Sequence, residues 1–62
     1  MDINIIIKQY GNFLTIKEVA KLLKVHSNTI KNLTMRGDLK ATKIGKAVRY
    51  EAQAIMDYIK LH

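Results

Sequence analysis

Ser27, Asn28, Lys31, Asn32 and Met35 recur at one-turn intervals of an α-helix, so one outward face would carry hydroxyl, amide, ammonium and thioether groups together. An asparagine amide donates and accepts in a pair, a lysine only donates, and a methionine presents a soft apolar tip. In a duplex these chemistries match the adenine edge, guanine O6 and N7, and the thymine methyl. The plainer alternatives are an ordinary polar helix face and, for Met35, packing at the edge of a core. Lys43, Lys46 and Arg49 form a second, purely cationic set further along. Such a set neutralises phosphates or reaches into a minor groove, unless it serves only as edge-strand charge that blocks sheet aggregation. Thr15, Lys17 and Arg36 are further candidates for contact with a phosphate backbone.

Other chemistries find less support. The five carboxylates are scattered, and the two histidines, His26 and His62, stand far apart in the chain. No Cys, His and carboxylate cluster has metal-ligand spacing, and Gly45 is a single glycine where a nucleotide loop needs several. An enzyme, a metal site and a bound cofactor are therefore not expected, and His26 reads as a turn residue that helps cap the next helix or touches a phosphate.

The charge is uneven. The chain of 62 residues has a net charge of +6, and residues 27–49 hold six cations against Asp38 alone. That concentration is the electrostatic footprint of a polyanion binder, although a generic basic surface would have the same composition. Without cysteine the chain suits a reducing compartment, and its longest apolar run, Ile5-Ile6-Ile7, is far below the ~20 residues of a membrane span. Asp2 stands where a secretory signal would be basic. The expectation is a cytoplasmic, bacterial, nucleoid-associated protein with no membrane partner.

Four kinds of element must position these residues. Thr15 and Glu18 have the spacing of a capping box, and Ile16, Val19, Ala20 and Leu23 form the apolar stripe of a helix over 16–23. After Lys24-Val25-His26, the polar run Ser27-Asn28-Thr29 can cap a second helix over 27–36, whose inward side is Ile30, Leu33 and Thr34. Gly37 stops it, because glycine reaches positive φ without steric cost. Two short helices around a turn, with Val25 packed between them, make a helix-turn-helix over 15–37.

From Lys40 the apolar period falls from helical to two, which reads as a hairpin wing over 40–50 turning at Gly45. A two-residue loop of Gly45-Lys46 would oppose Lys43 to Val48 and mix the faces. A three-residue loop of Gly45-Lys46-Ala47 opposes Ile44 to Val48 and Lys43 to Arg49, and is preferred. It predicts an apolar inner face of Ile44, Val48 and Tyr50 and an outer rim of Lys43, Lys46 and Arg49. Glu51 can begin a last helix over 52–61, with Ala52, Ile55, Ile59 and Tyr58 inward. In the N-terminal segment 1–12, Ile3, Ile6, Ile7 and Tyr10 fit a helix ended by Gly11, whereas Ile3, Ile5 and Ile7 fit a strand; the helix is preferred. No repeat, linker or proline divides the chain, so residues 1–62 read as a single domain.

The run Leu14-Thr15-Ile16-Lys17-Glu18-Val19-Ala20, then Val25, Thr29-Ile30, Gly37-Asp38-Leu39, Lys43-Ile44-Gly45-Lys46 and Arg49-Tyr50, resembles the excisionase family, small relatives of the MerR-type winged-helix domain. The match covers about residues 14 to 60. It implies an α+β fold, mostly α: a winged helix-turn-helix with a two-stranded β-hairpin wing and a C-terminal helix. It also implies that the second helix enters the major groove of double-stranded DNA. Excisionases bind beside the attachment sequence of a phage or other mobile genetic element, bend the DNA and direct a tyrosine integrase toward excision. Three positions depart from the family: His26 stands at a serine cap, Lys24 at a turn glycine, and the recognition helix lacks arginines at its centre.

The same domain occurs in small phage or plasmid transcriptional regulators, which bind an operator as repressors, so DNA recombination and transcription regulation both remain open at this level. Cooperative homo-oligomers on DNA fit either role, with the N-terminal isoleucines as a possible contact. A third reading makes Ile3 to Ile7 the docking segment of a protein-interaction adaptor.

Overall fold

The computed structural model describes residues 2–61. Asp2 accepts from the Asn4 N–H at 3.1 Å and starts α1 (Ile3–Tyr10), which ends at Gly11. The N-terminal segment is thus the helix of the two alternatives. Phe13–Leu14 then form β1, a two-residue strand.

Thr15 caps α2 (Ile16–Leu23) with both arms of the box in place: its Oγ1 accepts from the Glu18 N–H at 3.2 Å, and its N–H donates to the Glu18 carboxylate at 2.8 Å. α3 (Ser27–Met35) follows. The two helices end alike. At the end of α3, Gly37 N–H donates to Thr34 O at 3.1 Å and Asp38 N–H to Leu33 O at 2.9 Å, around a left-handed Gly37 with φ +83°. At the end of α2, Lys24 N–H donates to Lys21 O at 3.3 Å and Val25 N–H to Ala20 O at 3.0 Å, around a left-handed Lys24 with φ +57°. This paired hydrogen-bond pattern closes a helix, and it normally takes glycine at the left-handed position.

Two expectations about the turn are corrected. Val25, expected to be packed between the helices, is 41% exposed and lines an open hollow of about 310 Å³ with Leu23 of α2, Thr29 and Leu33 of α3, and Tyr58 and Ile59. The turn is held instead by the backbone bonds around Lys24. Nor do Ser27, Asn28 or Thr29 cap α3. The N-cap is His26, whose side chain makes no capping bond, because Ser27 is already the first helical residue.

The sheet has three strands in the order β1-β3-β2, where β2 is Thr42–Ile44 and β3 is Ala47–Glu51. The β2–β3 hairpin is the expected two-stranded wing, and a third strand that was not expected joins its base: β1 pairs antiparallel with β3, Leu14 opposite Tyr50 and Phe13 opposite Glu51. β3 runs directly into α4 (Ala52–Leu61), so Glu51 ends a strand rather than beginning a helix.

Every helix and both of the other strands send residues into one core, and β2 sends none. The core is Ile6, Leu14, Val19, Ala20, Ile30, Leu33, Leu39, Tyr50, Ala52, Ile55 and Met56, with Ile3, Ile7, Tyr10, Tyr58 and Ile59 packed around it. Burying one such aliphatic side chain contributes about 1.5–3 kcal/mol, which a domain this small needs from most of them. The N-terminal isoleucines serve this purpose: Ile6 is buried, Ile3 and Ile7 pack on the core, and of the four only Ile5 is largely exposed. They do not form the free docking face that the adaptor reading requires.

Lys24 carries the one positive φ outside glycine among the described residues. A left-handed residue with a Cβ costs about 1–2 kcal/mol, of which glycine's extra chain entropy returns part. Lys24→Gly is expected to raise stability by about 0.5–1 kcal/mol, a rise of a few degrees in the thermal midpoint by circular dichroism. A lower midpoint would show that the lysine stem makes compensating contacts.

Candidate nucleic-acid interface

The face of α3 turned away from the core carries the residues singled out by spacing. Asn28, Lys31, Asn32 and Met35 are exposed, Met35 by 83%, and Ser27 is half-buried. Ile30 and Leu33 are buried on the opposite side. Thr34 is half-buried, and its Oγ1 donates to Ile30 O at 2.8 Å and lies 2.7 Å from the Tyr50 hydroxyl. A threonine hydroxyl has one proton, and Ile30 O takes it, so the Tyr50 O–H donates to Thr34. The chain Tyr50 to Thr34 to Ile30 O fastens the base of the wing to α3.

The wing turns in two residues, not three. Thr42 stands opposite Arg49, Lys43 opposite Val48 and Ile44 opposite Ala47, which leaves Gly45 and Lys46 as the loop. Gly45 has φ +62°, while Lys46 is not at positive φ. A glycine in that conformation at the first central position is what one of the two tight turns that match strand twist requires. The three-residue register is the one that sorts apolar from charged side chains. Beyond Tyr50, however, the hairpin leaves the core, and Ile44 and Val48 are each 48% exposed. With neither face buried there, burial does not fix the register, and the turn does.

The consequence is a redistribution of side chains. Directly opposed residues share a face. Lys43 therefore lies with Val48 and Tyr50 on the side toward α3, while Ile44 lies with Ala47 and Arg49 on the other. The expected single rim of Lys43, Lys46 and Arg49 is split: Lys43 faces the helix, Lys46 sits in the turn, and Arg49 faces away, its guanidinium donating to Val48 O at 2.8 Å.

Between α3 and the wing is a hollow of about 340 Å³ lined by Ile16, Lys31, Thr34, Met35, Val48 and Tyr50. Neither Asn28 nor Asn32 lines it, so α3 has two exposed strips, one toward the wing and one away from it. Lys17 is exposed at the start of α2. Thr15 is half-buried, and its hydroxyl oxygen accepts the capping bond, while its proton is what it could offer a phosphate. Arg36 is paired with Asp38 at 3.2 Å, an exposed ion pair of the kind that contributes little and exchanges readily.

Among the described residues, no group of three His, Cys, Asp or Glu is placed to hold a metal ion, and no helix is long and apolar enough to cross a membrane. His62 lies outside the described residues.

Comparison with known proteins agrees with this architecture. The sequence profile described as a helix-turn-helix domain matches residues 13–60, from β1 to the last turn of α4. The chain belongs to that helix-turn-helix family. Among curated proteins it is similar to two from Mycobacterium tuberculosis, strains CDC 1551 and H37Rv, each named as a candidate DNA-binding protein. Both are 36% identical over 47 residues, which is 76% of this chain and 60% of theirs, so the match spans less than two thirds of those relatives. No solved structure matches the chain.

Sequence reasoning missed β1 and the sidedness of Lys43. Two residues are too few to show a period, and only the conformation of Gly45 reveals the turn.

The Tyr50–Thr34 bond is expected to couple the wing to the helix-turn-helix unit energetically. Tyr50→Phe, which keeps the ring in the core, should cost about 1 kcal/mol in urea unfolding. With Thr34→Val the pair should show a coupling of about 0.5–1 kcal/mol, the double variant losing less than the sum of the singles. Strict additivity would mean that the hydrogen bond carries no net stability.

Proposed function

We propose that this helix-turn-helix domain binds double-stranded DNA, α3 entering the major groove and the β2–β3 wing lying against the phosphate backbone or the minor groove. The observation that carries the reading is the placement, on two sides of one hollow, of Lys31, Thr34 and Met35 of α3 and of a wing whose charges from Thr42 to Tyr50 are all positive. The names of the Mycobacterium tuberculosis relatives support it.

In this reading Ser27, Asn28, Lys31, Asn32 and Met35 meet the base edges or the sugar-phosphate margin of the major groove. Lys43, Lys46 and Arg49 grip phosphates, and Thr15, Lys17 and Arg36 add contacts to the flanking backbone. A helix centre without arginine gives modest base readout, so phosphate contact and duplex shape carry most of the affinity.

The finer role we propose is that of an excisionase of a mobile genetic element, which binds beside an attachment site, bends the duplex and directs a tyrosine integrase toward excision. The run from Leu14 to Tyr50 shared in pattern with that family supports this, as does a wing that projects past the core and can follow a bent duplex. One such domain touches few bases, so tandem, cooperative binding fits the role.

The first test is a titration of labelled duplex over a salt series. About five engaged cations predict a log–log slope near −4 to −5, and absent or salt-independent binding would overturn the reading. Lys46→Ala should weaken binding to all duplexes alike, whereas Asn28→Ala should change discrimination between sequences by about 1–3 kcal/mol per lost base contact. A footprint across an attachment site, with bending measured by end-to-end energy transfer, tests the excisionase role; protection confined to a promoter, with no bend, assigns the domain to transcriptional control.

A further inference from the structure

We propose that the outer face of the three-stranded sheet joins two copies of the chain about a two-fold axis and, resting on the DNA-binding reading, that the pair bridges two duplex segments. Directly opposed residues share a face, so the register places Phe13, Thr42, Ile44, Ala47, Arg49 and Glu51 together on the side away from α3. None of the six is buried, whereas Leu14 and Tyr50 on the other face belong to the core. An antiparallel sheet can leave one face to water, and that face is then polar. Here it carries Phe13, 44% exposed, and Ile44, 48% exposed.

The charges on this face point to its occupant. Arg49 and Glu51 stand two residues apart on β3, and neither has an ion-pair partner among the described residues. The Arg49 guanidinium donates one bond, to Val48 O, and the Glu51 carboxylate accepts one from Thr42 Oγ1 at 3.5 Å, longer than a strong bond allows. Most of the capacity of both groups is unused.

A cation and an anion spaced along one strand complement a second copy of themselves. Rotation by half a turn about an axis that crosses β3 at Tyr50 lays the second sheet antiparallel on the first. Arg49 then stands over the partner's Glu51, and Glu51 over the partner's Arg49. Facing sheets lie about 10 Å apart, a gap that these two long side chains span from both sides. The same rotation brings Phe13 beside the partner's Phe13. An axis along β3 would set like charge on like, which repels.

The axis decides what the pair can hold. α3 lies against the other face of the wing, so both copies carry it on the outside. Antiparallel strands also send the two wing tips, with Lys43 and Lys46, in opposite directions. The two DNA-binding surfaces therefore diverge, and one pair grips two duplex segments rather than adjacent sites on one. In the bridged state Arg49 serves the protein contact, and Lys43 and Lys46 keep the phosphates.

The test uses the whole chain. Sedimentation equilibrium of the free protein should show a salt-sensitive monomer–dimer equilibrium at high concentration, since a contact of this size is weak. Arg49→Glu or Glu51→Arg alone should weaken the pair by about tenfold or more, because each sets like charges together at two symmetric places. An equimolar mixture of the two variants should pair as the wild type does. Bridging is read by energy transfer between a donor-labelled and an acceptor-labelled duplex. The wild type should bring the two together, and Glu51→Gln should lower the transfer severalfold while binding a single duplex unchanged. Should either charge reversal not fold, Glu51→Gln and Phe13→Ser should each weaken the pair in sedimentation.

A free chain that stays monomeric throughout leaves the face to solvent or to another protein, and overturns the proposal. A dimer that the mixture of variants does not restore places the interface elsewhere, and restored pairing without energy transfer puts both copies on one duplex; each also overturns it. A wild type that binds no duplex overturns the DNA-binding reading, on which the sedimentation result does not depend.

Discussion

The hydrogen bond from Tyr50 to Thr34 fixes how the wing meets the helix-turn-helix unit. Tyr50 is the largest of the fully buried side chains, and it reaches the core from the strand that carries the wing. Its ring packs with the aliphatic core, while its hydroxyl must be paired because a buried unpaired hydroxyl is costly. Thr34 can take that bond only because it passes its own proton to Ile30 O, one turn back in α3. The angle between wing and helix is therefore set by a side chain that belongs to both the core and the sheet. Leu14 opposite Tyr50 braces the same strand from its other edge, which is what a two-residue β1 contributes.

Rigidity at the base of the wing contrasts with freedom at its tip. Past Tyr50 the hairpin has no core to lie on, and burial ceases to specify which residues face which way. The conformation of Gly45 takes over, and the face toward α3 receives a lysine where segregation by polarity would have put an isoleucine. The cost is two half-exposed aliphatic residues, Ile44 and Val48, on opposite faces. A three-residue loop would have kept Lys43 and Arg49 on one face and turned both away from the helix.

Much of this was legible in the sequence because it rests on local chemistry. The capping box at Thr15 and Glu18, the stop at Gly37 and the apolar stripes of α2 and α3 are each dictated within a few residues. The helix over residues 3–10 has a local signal too: Asp2 is an N-cap residue one position before the first isoleucine. What stayed hidden depends on contacts between segments distant in the chain. β1 exists because β3 offers it an edge, and Met56 and Leu39 are buried in a core assembled from every helix and from β1 and β3. Of the candidate site, the exposed residues of α3 were identifiable by period alone, whereas the separation of Lys43 from Arg49 required the register.

The two halves of the interface differ in kind. α3 is pinned along its inner side by Ile30, Leu33 and Thr34, so its outer polar groups sit on a fixed frame, the condition for reading base edges with short amide side chains. The wing cations ride on longer, flexible stems at the end of an unsupported hairpin, which suits phosphates, where a charge need only be near. Uncoupling the base of the wing would thus leave most of its charge in reach of a duplex but lose the alignment between wing and helix. Positioning rests on one tyrosine hydroxyl, and electrostatic attraction on several independent lysines. Tyr50 also lines the hollow between them, so a contact made there meets the residue that joins its two walls.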